Sequence, residues 1–362
     1  GGGPAADHRR GGDMKKLCVG SVEEKAGKTV VILGLAQVLR ARGFQVAYRK
    51  PVGLARAYRH GRPADPDGEL VAEALGLEKT EDLVPVLSGE APRAWRPPIG
   101  AWDRILSAMA VSADFLFLEG REWVGRGLLS GLSDPALAGK LSAPILLVAK
   151  YRGEPTVDGI LAAARIVGEE SRLLGVVLNA VSPEAELSEV QSYAAPFLEE
   201  EGIPVLGAIP FHRRLQAVRI SEVLEALGAE VVVAGDLQAE VERVLVGAMG
   251  AEAALQHLRR IPGQLVVITA GDRTDIQAAA LSFPRVRAVI LSGGIRPERA
   301  IAAQAHEHGK TLAVAPQDTF TVAETADRLL GRTFPISPER LALLARLTEE
   351  NVDLDRIIEL LG

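Results

Sequence analysis

The sequence is poor in residues that several common classes of protein depend on. Its 362 residues include one cysteine, Cys18, which excludes an internal disulfide framework and any metal site built from several cysteines. Aromatic residues make up 4% of the chain, and no apolar run is long enough for a membrane span. The formal net charge of −6 at pH 7 argues against an extended nucleic-acid-binding surface. We therefore expect a cytoplasmic protein that binds neither nucleic acid nor membrane.

The remaining composition is that of a globular protein with a sizeable core. Hydrophobic residues account for 48% of the chain and charged residues for 24%. A chain of this length predicts two or three domains. Residues 1–13 are rich in glycine and carry no apolar segment, so we expect a disordered tail ahead of Met14.

Short apolar runs alternate with amphipathic stretches, which predicts an α/β protein with parallel sheets. The near-continuous apolar character of these runs predicts strands that are covered on both faces. The predicted strands are residues 17–20, 46–49, 115–119, 145–149, 176–179 and 205–209, followed by 231–234, 265–269, 288–291 and 312–315.

The grouping of these strands predicts two domains. We expect a parallel-sheet domain over residues 14–215, a smaller α/β domain over 216–335, and two short helices within 336–362. The stretch 83–98 contains four prolines and few periodic apolar positions, which predicts an irregular loop.

The strongest motif lies between the first predicted strand and a predicted helix over residues 29–41. It reads Gly20-Ser-Val-Glu-Glu-Lys-Ala-Gly27-Lys28-Thr29. A strand, loop and helix in this order is the context that a phosphate-binding loop requires. Gly27 lets the backbone approach the phosphates, Lys28 would reach the β- and γ-phosphates, and the Thr29 hydroxyl would bind Mg²⁺. The amino end of the helix adds a partial positive charge.

This motif departs from the usual spacing at one position. The pattern G-x-x-x-x-G-K-[ST] requires its first glycine at position 22, where this chain has Val22. The alternative interpretation is a strand–helix turn that uses glycine and lysine for structural reasons alone.

Four further residues follow predicted strands or precede a predicted helix. Glu119 ends the run 115–119, where a carboxylate would face the phosphates; the alternative is an ordinary edge carboxylate. Asp67 precedes a helix and is either a metal ligand or a helix N-cap. Lys50 ends the second strand and either points at the phosphate cleft or is solvated. Asn179 ends a later strand and either contacts an adenine ring or forms a turn.

These residues together resemble the dethiobiotin synthetase-like branch of the P-loop NTPases. The resemblance runs over about residues 14–210 and is carried by the phosphate loop, Lys50-Pro51-Val52-Gly53, Glu119-Gly120 and Gly175-Val-Val-Leu-Asn179. It implies that the chain binds ATP and Mg²⁺.

The resemblance also implies individual roles for these side chains. Lys28 and Lys50 would contact phosphate, and they would be the catalytic residues of any reaction at the site. Thr29, Asp67 and Glu119 would bind Mg²⁺, and Asn179 would recognise adenine. The family has a small, glycine-rich loop after the strand-end glutamate, whereas this chain has Gly120-Arg121-Glu122-Trp123. We therefore do not expect biotin synthesis.

Three motifs in the second half resemble a DRTGG domain over about residues 221–330. They are Thr269-Ala-Gly271-Asp272-Arg273-Thr274-Asp275-Ile276, Leu291-Ser-Gly293-Gly294 and Gln317-Asp318-Thr319. The pairing of the two domains resembles the N-terminal regulatory half of long bacterial phosphate acetyltransferases. The acetyl-transfer domain of those enzymes has no counterpart in these 362 residues, so we expect no acetyl transfer by this chain itself.

The residue types in the second-domain motifs are suited to bind a small effector molecule. They supply Asp272, Arg273, Gly293, Gly294, Asp318 and Thr319. Each motif follows a predicted strand, and the carboxyl ends of parallel strands share one edge of a sheet. The alternative is that Asp272 caps a helix and Arg273 pairs with a neighbouring carboxylate.

Three functional hypotheses follow from these motifs. The first is a regulatory protein that binds ATP and Mg²⁺ in one domain and an effector or partner in the other. The second is an ATP-dependent ligase or amidoligase that activates a carboxylate or carbamate by phosphorylation. The third is an oligomerisation scaffold without nucleotide binding, which Val22 favours. We expect homo-oligomers under all three.

Overall fold

The computed structural model describes residues 13–55, 57–59, 62–78, 80–88, 97–183, 186–215, 217–247, 251–330 and 337–362. The described residues form two compact units, one drawn from Gly1–Phe211 and Ile336–Gly362 and the other from His212–Pro335. Apart from Asp13, the expected N-terminal tail lies outside the described residues. None of the helices in the described ranges combines the length and the apolar character that a bilayer crossing requires.

The described residues of the first unit form ten strands. They are β1 Lys15–Ser21, β2 Val46–Arg49, β3 Val52–Leu54, β4 Ala57–Arg59, β5 Arg62–Ala64, β6 Val86–Ser88, β7 Phe115–Glu119, β8 Ile145–Lys150, β9 Leu173–Val181 and β10 Val205–Pro210. Six of them form one parallel sheet in the order β10-β9-β8-β1-β7-β2. Every residue of β7 is buried, as expected for a strand covered on both faces.

Helices connect these strands along the chain. They are α1 Lys28–Ala41, α2 Pro66–Ala74, α3 Ala101–Ala108, α4 Asp134–Leu141, α5 Glu154–Gly168, α6 Leu187–Glu189 and α7 Ala195–Glu200, with a π-helical turn at Val190–Ala194 between the last two. All six strands of the parallel sheet run in the same direction, so their carboxyl ends meet at one edge. The predicted α/β class with a parallel sheet is confirmed.

One sequence prediction for this unit needs correction. The stretch 83–98 is not wholly irregular, because β6 lies within it and pairs in parallel with β3. Residues 89–96 of the stretch lie outside the described residues. A strand of three residues is too short to produce a recognisable hydrophobic period, which explains why the sequence pattern missed it.

The second unit is a smaller α/β structure. Its strands are β11 Val218–Arg219, β12 Glu230–Val233, β13 Glu240–Val241, β14 Arg243–Val246, β15 Leu265–Ala270, β16 Val286–Ser292 and β17 Thr311–Val314. Its helices are α8 Ile220–Leu227, α9 Ala251–Arg260, α10 Thr274–Ser282, α11 Arg299–Glu307 and α12 Thr319–Leu330. The five-stranded sheet has the order β12-β17-β16-β15-β14 and is parallel except for β12.

Two C-terminal helices, α13 Pro338–Asn351 and α14 Leu354–Leu360, return to the first unit. Helix α13 packs along α1. Asp353 donates its backbone N–H to the carbonyl of Leu206 at 2.8 Å, and Val352 forms an antiparallel bridge with Gly207. This segment therefore pairs with the edge strand β10, whose backbone groups would otherwise lack a partner on that side.

The contact between α1 and α13 depends on the absence of a side chain at Gly34. A Cβ atom built at this position would lie 2.1 Å from the hydroxyl oxygen of Thr348. Thr348 is buried, and within the described part of the chain its hydroxyl has no hydrogen-bond partner. The two helices therefore approach closely because Gly34 has no Cβ.

We predict that Gly34→Ala lowers the free energy of unfolding by about 1–2 kcal/mol, since the overlap outweighs the higher helix propensity of alanine. In a Thr348→Ala background the same change should instead be neutral or stabilising by up to about 1 kcal/mol. Chemical denaturation of all four proteins measures this coupling. An equal effect of Gly34→Ala in both backgrounds would contradict the proposed contact.

Candidate functional site

The loop between β1 and α1 has the geometry of a phosphate-binding loop. Gly27 immediately precedes α1 in the left-handed region, with φ of 98°, a conformation that strongly favours glycine. Helix α1 has no acidic residue in its first turn, and among the described residues no side chain caps its amino end. Its first N–H groups and its partial positive charge are therefore suited to an anion.

The valine at position 22 is accommodated by its surroundings. Its N–H donates to the carbonyl of Val148 at 3.1 Å, which continues the pairing of β1 with β8. A Cβ atom built at Gly159 in α5 would lie 2.7 Å from a methyl carbon of Val22. Because Gly159 has no side chain, α5 leaves the volume that this valine occupies.

Lys28, the first residue of α1, is buried at the carboxyl edge of the sheet. Its Nζ donates to the hydroxyl of Ser21 at 2.9 Å and to the carbonyl of Glu122 at 3.4 Å. Burial lowers the pKa of Lys28, and the charges of Glu119 and Asp134 partly oppose this shift. The loop therefore holds the ammonium group close to the segment that follows β7.

Thr29 and Glu119 are in direct contact. The Thr29 hydroxyl donates to Oε1 of Glu119 at 2.8 Å, and the buried Tyr48 hydroxyl donates to Oε2. Burial raises the pKa of Glu119, while the ammonium group of Lys50 and the bond from Tyr48 oppose the increase. Tyr48 was not among the predicted site residues, because a tyrosine within a buried strand has the pattern of a core residue.

Lys50 follows β2 and lies between two aspartates. Its Nζ is 2.9 Å from Oδ1 of Asp65 and 3.1 Å from Oδ2 of Asp67. Burial by itself would lower the pKa of Lys50, but Glu119, Asp67 and Asp65 together raise it above its ordinary value. A solvated strand-end lysine, the alternative interpretation, is therefore wrong.

The N-cap alternative for Asp67 is also wrong, because Asp65 caps helix α2. Oδ1 of Asp65 accepts the N–H of Gly68 at 2.9 Å, and its Oδ2 accepts the N–H of Leu54 at 2.7 Å. Asp67 lies in the first turn of α2, and its side chain is about half exposed. Its carboxylate is therefore the more accessible of the two.

Asn179 lies within β9 and contacts the phosphate loop. Its side-chain amide donates to the carbonyl of Ala26 at 2.9 Å. A Cβ atom at Gly27 would lie 2.1 Å from the same amide nitrogen. Asn179 thus packs against Gly27, the residue that precedes α1. The prediction that Asn179 ends its strand is wrong, because β9 continues to Val181, and the alternative of a turn at Asn179 is wrong for the same reason.

The donor atoms at this edge of the sheet suit Mg²⁺. The Thr29 hydroxyl and the carboxylates of Glu119 and Asp67 are hard oxygen ligands, which Mg²⁺ prefers. Within the described ranges no three His, Cys, Asp or Glu side chains converge as a metal site. An ion here would therefore complete its shell with waters and nucleotide phosphates, as Mg²⁺ commonly does.

Asp134, which was not among the predicted site residues, is a fully buried carboxylate at the start of α4. Its Oδ1 accepts the N–H of Arg121 at 2.8 Å, and its Oδ2 has no hydrogen-bond partner among the described residues. Cβ atoms built at Gly20 and Gly120 would lie 3.2 Å and 2.1 Å from Oδ2. Asp134 therefore packs against the ends of β1 and β7.

Burial raises the pKa of Asp134 to about 7, although the bond from Arg121 and the nearby Lys28 ammonium lower it. The sequence contains little that marks Asp134 as a residue of the site. Ser133 and Pro135 flank Asp134, and such a triplet is typical of a helix start.

We predict a specific pH dependence from Asp134. Its folded-state pKa is above that of the unfolded chain, so its contribution to stability is present below pH 4 and is lost as the pH rises towards 7. Between these limits the free energy of unfolding should fall by up to about 1.4 kcal/mol per pH unit. The Asp134→Asn protein should lack this slope in urea denaturation.

The matched control is Asp158→Asn, which changes an exposed aspartate on α5 and should keep the wild-type slope. An unchanged slope in Asp134→Asn would show that another group is responsible.

In the second unit the predicted effector residues lie at one edge of the sheet. Arg273, Gly293 and Thr319 follow β15, β16 and β17, which run in parallel. Gly293 and Gly294 have φ of 81° and 68°, and the hydroxyl of Thr319 lies 2.6 Å from that of Ser292.

Two of the charged residues in this set have local partners. Asp318 caps α12 by accepting the N–H groups of Phe320 and Thr321 at 3.0 and 3.1 Å. Arg273 pairs with Asp275 at 3.1 Å, as expected in the alternative interpretation in which Arg273 pairs with a neighbouring carboxylate. The exposed Asp272 is not the N-cap of α10, because Arg273 occupies that position.

The geometry of the first unit defines an α/β protein with a phosphate-binding loop. A family model described as an AAA domain, AAA_26, matches residues 15–219, and a DRTGG domain model matches residues 222–329. The first match covers more than half of the chain, and the chain therefore belongs to the AAA_26 family, with a DRTGG domain following. Both resemblances inferred from the motifs are confirmed.

The chain is similar to curated proteins of at least three kinds. It is 28% identical to a phosphate acetyltransferase of Synechocystis, over 79% of this chain and 42% of that enzyme. The phosphate acetyltransferase of Deinococcus radiodurans is 26% identical, over 94% of this chain and 50% of that enzyme. The ATP-dependent dethiobiotin synthetase of Pseudomonas paraeruginosa is 29% identical, over 54% of this chain and 90% of that enzyme.

The chain spans 40–50% of the length of the phosphate acetyltransferases that it matches. It spans a larger share, 60%, of a hydrogenobyrinate a,c-diamide synthase of Thermobifida fusca, to which it is 27% identical.

Proposed function

We propose that this protein binds ATP and Mg²⁺ in the first unit and has a regulatory role that also uses an effector site in the second. The observation that carries the nucleotide site is the contact between Thr29 and Glu119 beside Lys28 at the amino end of α1. These side chains and the uncapped helix end offer an ammonium group, oxygen ligands and backbone donors to one polyphosphate.

Each residue of this site has a distinct role in the proposal. Lys28 exchanges its bonds to Ser21 and Glu122 for bonds to the phosphates. The Thr29 hydroxyl and the carboxylates of Glu119 and Asp67 hold Mg²⁺, which neutralises phosphate charge. Asn179 lies against Gly27 and contributes to recognition of the adenine ring.

The regulatory part of the proposal is supported by the domain pairing. The phosphate acetyltransferases that the chain matches are about twice its length, and the match to this chain includes both the AAA_26 and the DRTGG regions. We propose that the loops after β15, β16 and β17 bind a small effector. Gly293 and Gly294 allow a close backbone approach there, and Arg273 supplies a positive charge.

We predict that millimolar ATP–Mg²⁺ raises the melting temperature of the wild-type protein and that Lys28→Ala abolishes the increase. A ligand at about 100 times its dissociation constant adds about 2.7 kcal/mol to the stability of the folded state. The variant loses a group that binds phosphate directly, so its affinity should fall by at least about tenfold. Thermal unfolding with and without ATP–Mg²⁺ measures both effects.

Lys140→Ala is the control, since it removes the same charge from a lysine that lies over the ring of Trp102. It should retain the nucleotide response. Unchanged ATP affinity in Lys28→Ala would refute the proposed site. Absence of a response in the wild type would instead favour the scaffold interpretation.

A second candidate function is an ATP-dependent ligase that phosphorylates a carboxylate or carbamate. It is favoured by the dethiobiotin synthetase match, which covers 90% of that enzyme, and by the position of Lys50 beside the carboxylates. An ammonium group there would stabilise the charge that develops on a transferred phosphoryl group.

This alternative predicts ADP release that depends on an added carboxylic acid. A coupled ADP assay with a panel of small mono- and dicarboxylic acids tests it, with Lys28→Ala as the blank. Stimulation of ADP release by one acid would support the ligase. An unstimulated rate across the panel would favour the regulatory proposal.

A further inference from the structure

Lys50 occupies the position of a cation among the carboxylates of the first unit. Its ammonium group lies 2.9 Å from Asp65 and 3.1 Å from Asp67, and only 8% of its side chain is exposed. Among the neighbouring carboxylates, the buried Glu119 contributes most to the raised pKa of Lys50. The ammonium group therefore balances acidic residues from three segments of the chain.

The two aspartates depend on Lys50 to different extents. Asp65 also accepts the backbone N–H groups of Leu54 and Gly68, so both of its oxygens remain bonded if Lys50 moves away. Asp67 is half exposed and forms its ion pair with Lys50 from the first turn of α2. Asp67 is therefore the carboxylate that can be exchanged between an ammonium group and another cation.

Placing a divalent cation at this position beside the ammonium group is electrostatically unfavourable. Both would bond to Asp67, and like charges a few ångströms apart repel strongly where burial limits solvent screening. Phosphate groups change this balance, because they offer Lys50 alternative acceptors and offer the metal additional oxygen ligands.

We propose that Lys50 is a resident counter-cation that excludes Mg²⁺ from Asp67 and Glu119 until nucleotide phosphates draw its ammonium group away. This inference rests on the nucleotide site proposed above. When the phosphates arrive, Nζ of Lys50 donates to them in place of Asp67. The released carboxylate, together with Glu119 and Thr29, then accepts Mg²⁺. The metal thus enters with the nucleotide and not before it.

The experiment compares the effects of Mg²⁺ alone and of ATP–Mg²⁺ on metal-free protein. Wild type should show no change in melting temperature with millimolar Mg²⁺ and an increase with ATP–Mg²⁺. Lys50→Met keeps an apolar chain of similar length but removes the charge. It should bind Mg²⁺ alone about tenfold or more tightly than wild type and melt about 2–4 °C higher in its presence.

Two controls separate this effect from a general change in charge. Lys140→Met removes a positive charge from another position and should not gain a response to Mg²⁺. The double variant Lys50→Met, Asp67→Asn removes the exchangeable carboxylate and should lose the response that Lys50→Met gains. A structural role for Lys50 alone would destabilise the variant without creating a metal response.

A direct titration of the wild type tests the same order of binding without a variant. The electron paramagnetic resonance signal of free Mn²⁺ should be the same with and without the nucleotide-free protein. When ADP is also present, the signal should be lower with the protein than in a sample that contains ADP and Mn²⁺ but no protein. Binding of Mn²⁺ to the nucleotide-free wild type, or a Lys50→Met protein that does not respond to Mg²⁺, would overturn the inference. A wild type that does not respond to ATP–Mg²⁺ would refute the nucleotide site instead.

Discussion

The first unit depends on how charges are paired where the parallel strands end. Lys28, Lys50, Asp65, Glu119 and Asp134 all have 8% or less of their surface exposed. A buried charge is costly unless an opposite charge or a hydrogen bond compensates it. Strands β1, β2 and β7 run in parallel, so Lys28, Lys50 and Glu119, which follow or end these strands, lie at one edge of the sheet.

Close approach of the backbone is the second requirement, and glycine meets it at a few positions. Asn179 lies over Gly27, and Asp134 lies against Gly120, at distances that leave no room for a Cβ atom. The same relation explains how the loop accepts Val22, because the helix that faces it has Gly159 at the point of contact. A departure from the usual phosphate-loop pattern is therefore matched by a glycine far away in the sequence.

Part of the site was predictable because it follows from local patterns. The strand, loop and helix around Lys28 have a recognisable spacing, and Glu119 ends a continuous apolar run. The topology then brings Thr29 and Glu119 together, although they are 90 positions apart in the sequence. In the second unit, the order of strands and motifs likewise predicts the three loops at one edge of the sheet, whereas the cap that Asp318 provides for α12 has no counterpart in the sequence pattern.

The α/β class, the phosphate loop and most of the strands follow from local sequence patterns, because hydrophobic period and glycine spacing act over a few neighbouring residues. Three features of the site follow from tertiary contacts instead: Asp65 and not Asp67 caps α2, Tyr48 donates a hydrogen bond to Glu119, and Asp134 is buried beside the loop. Each of these outcomes depends on which distant segments pack together, and that choice reflects burial and charge compensation over the whole unit.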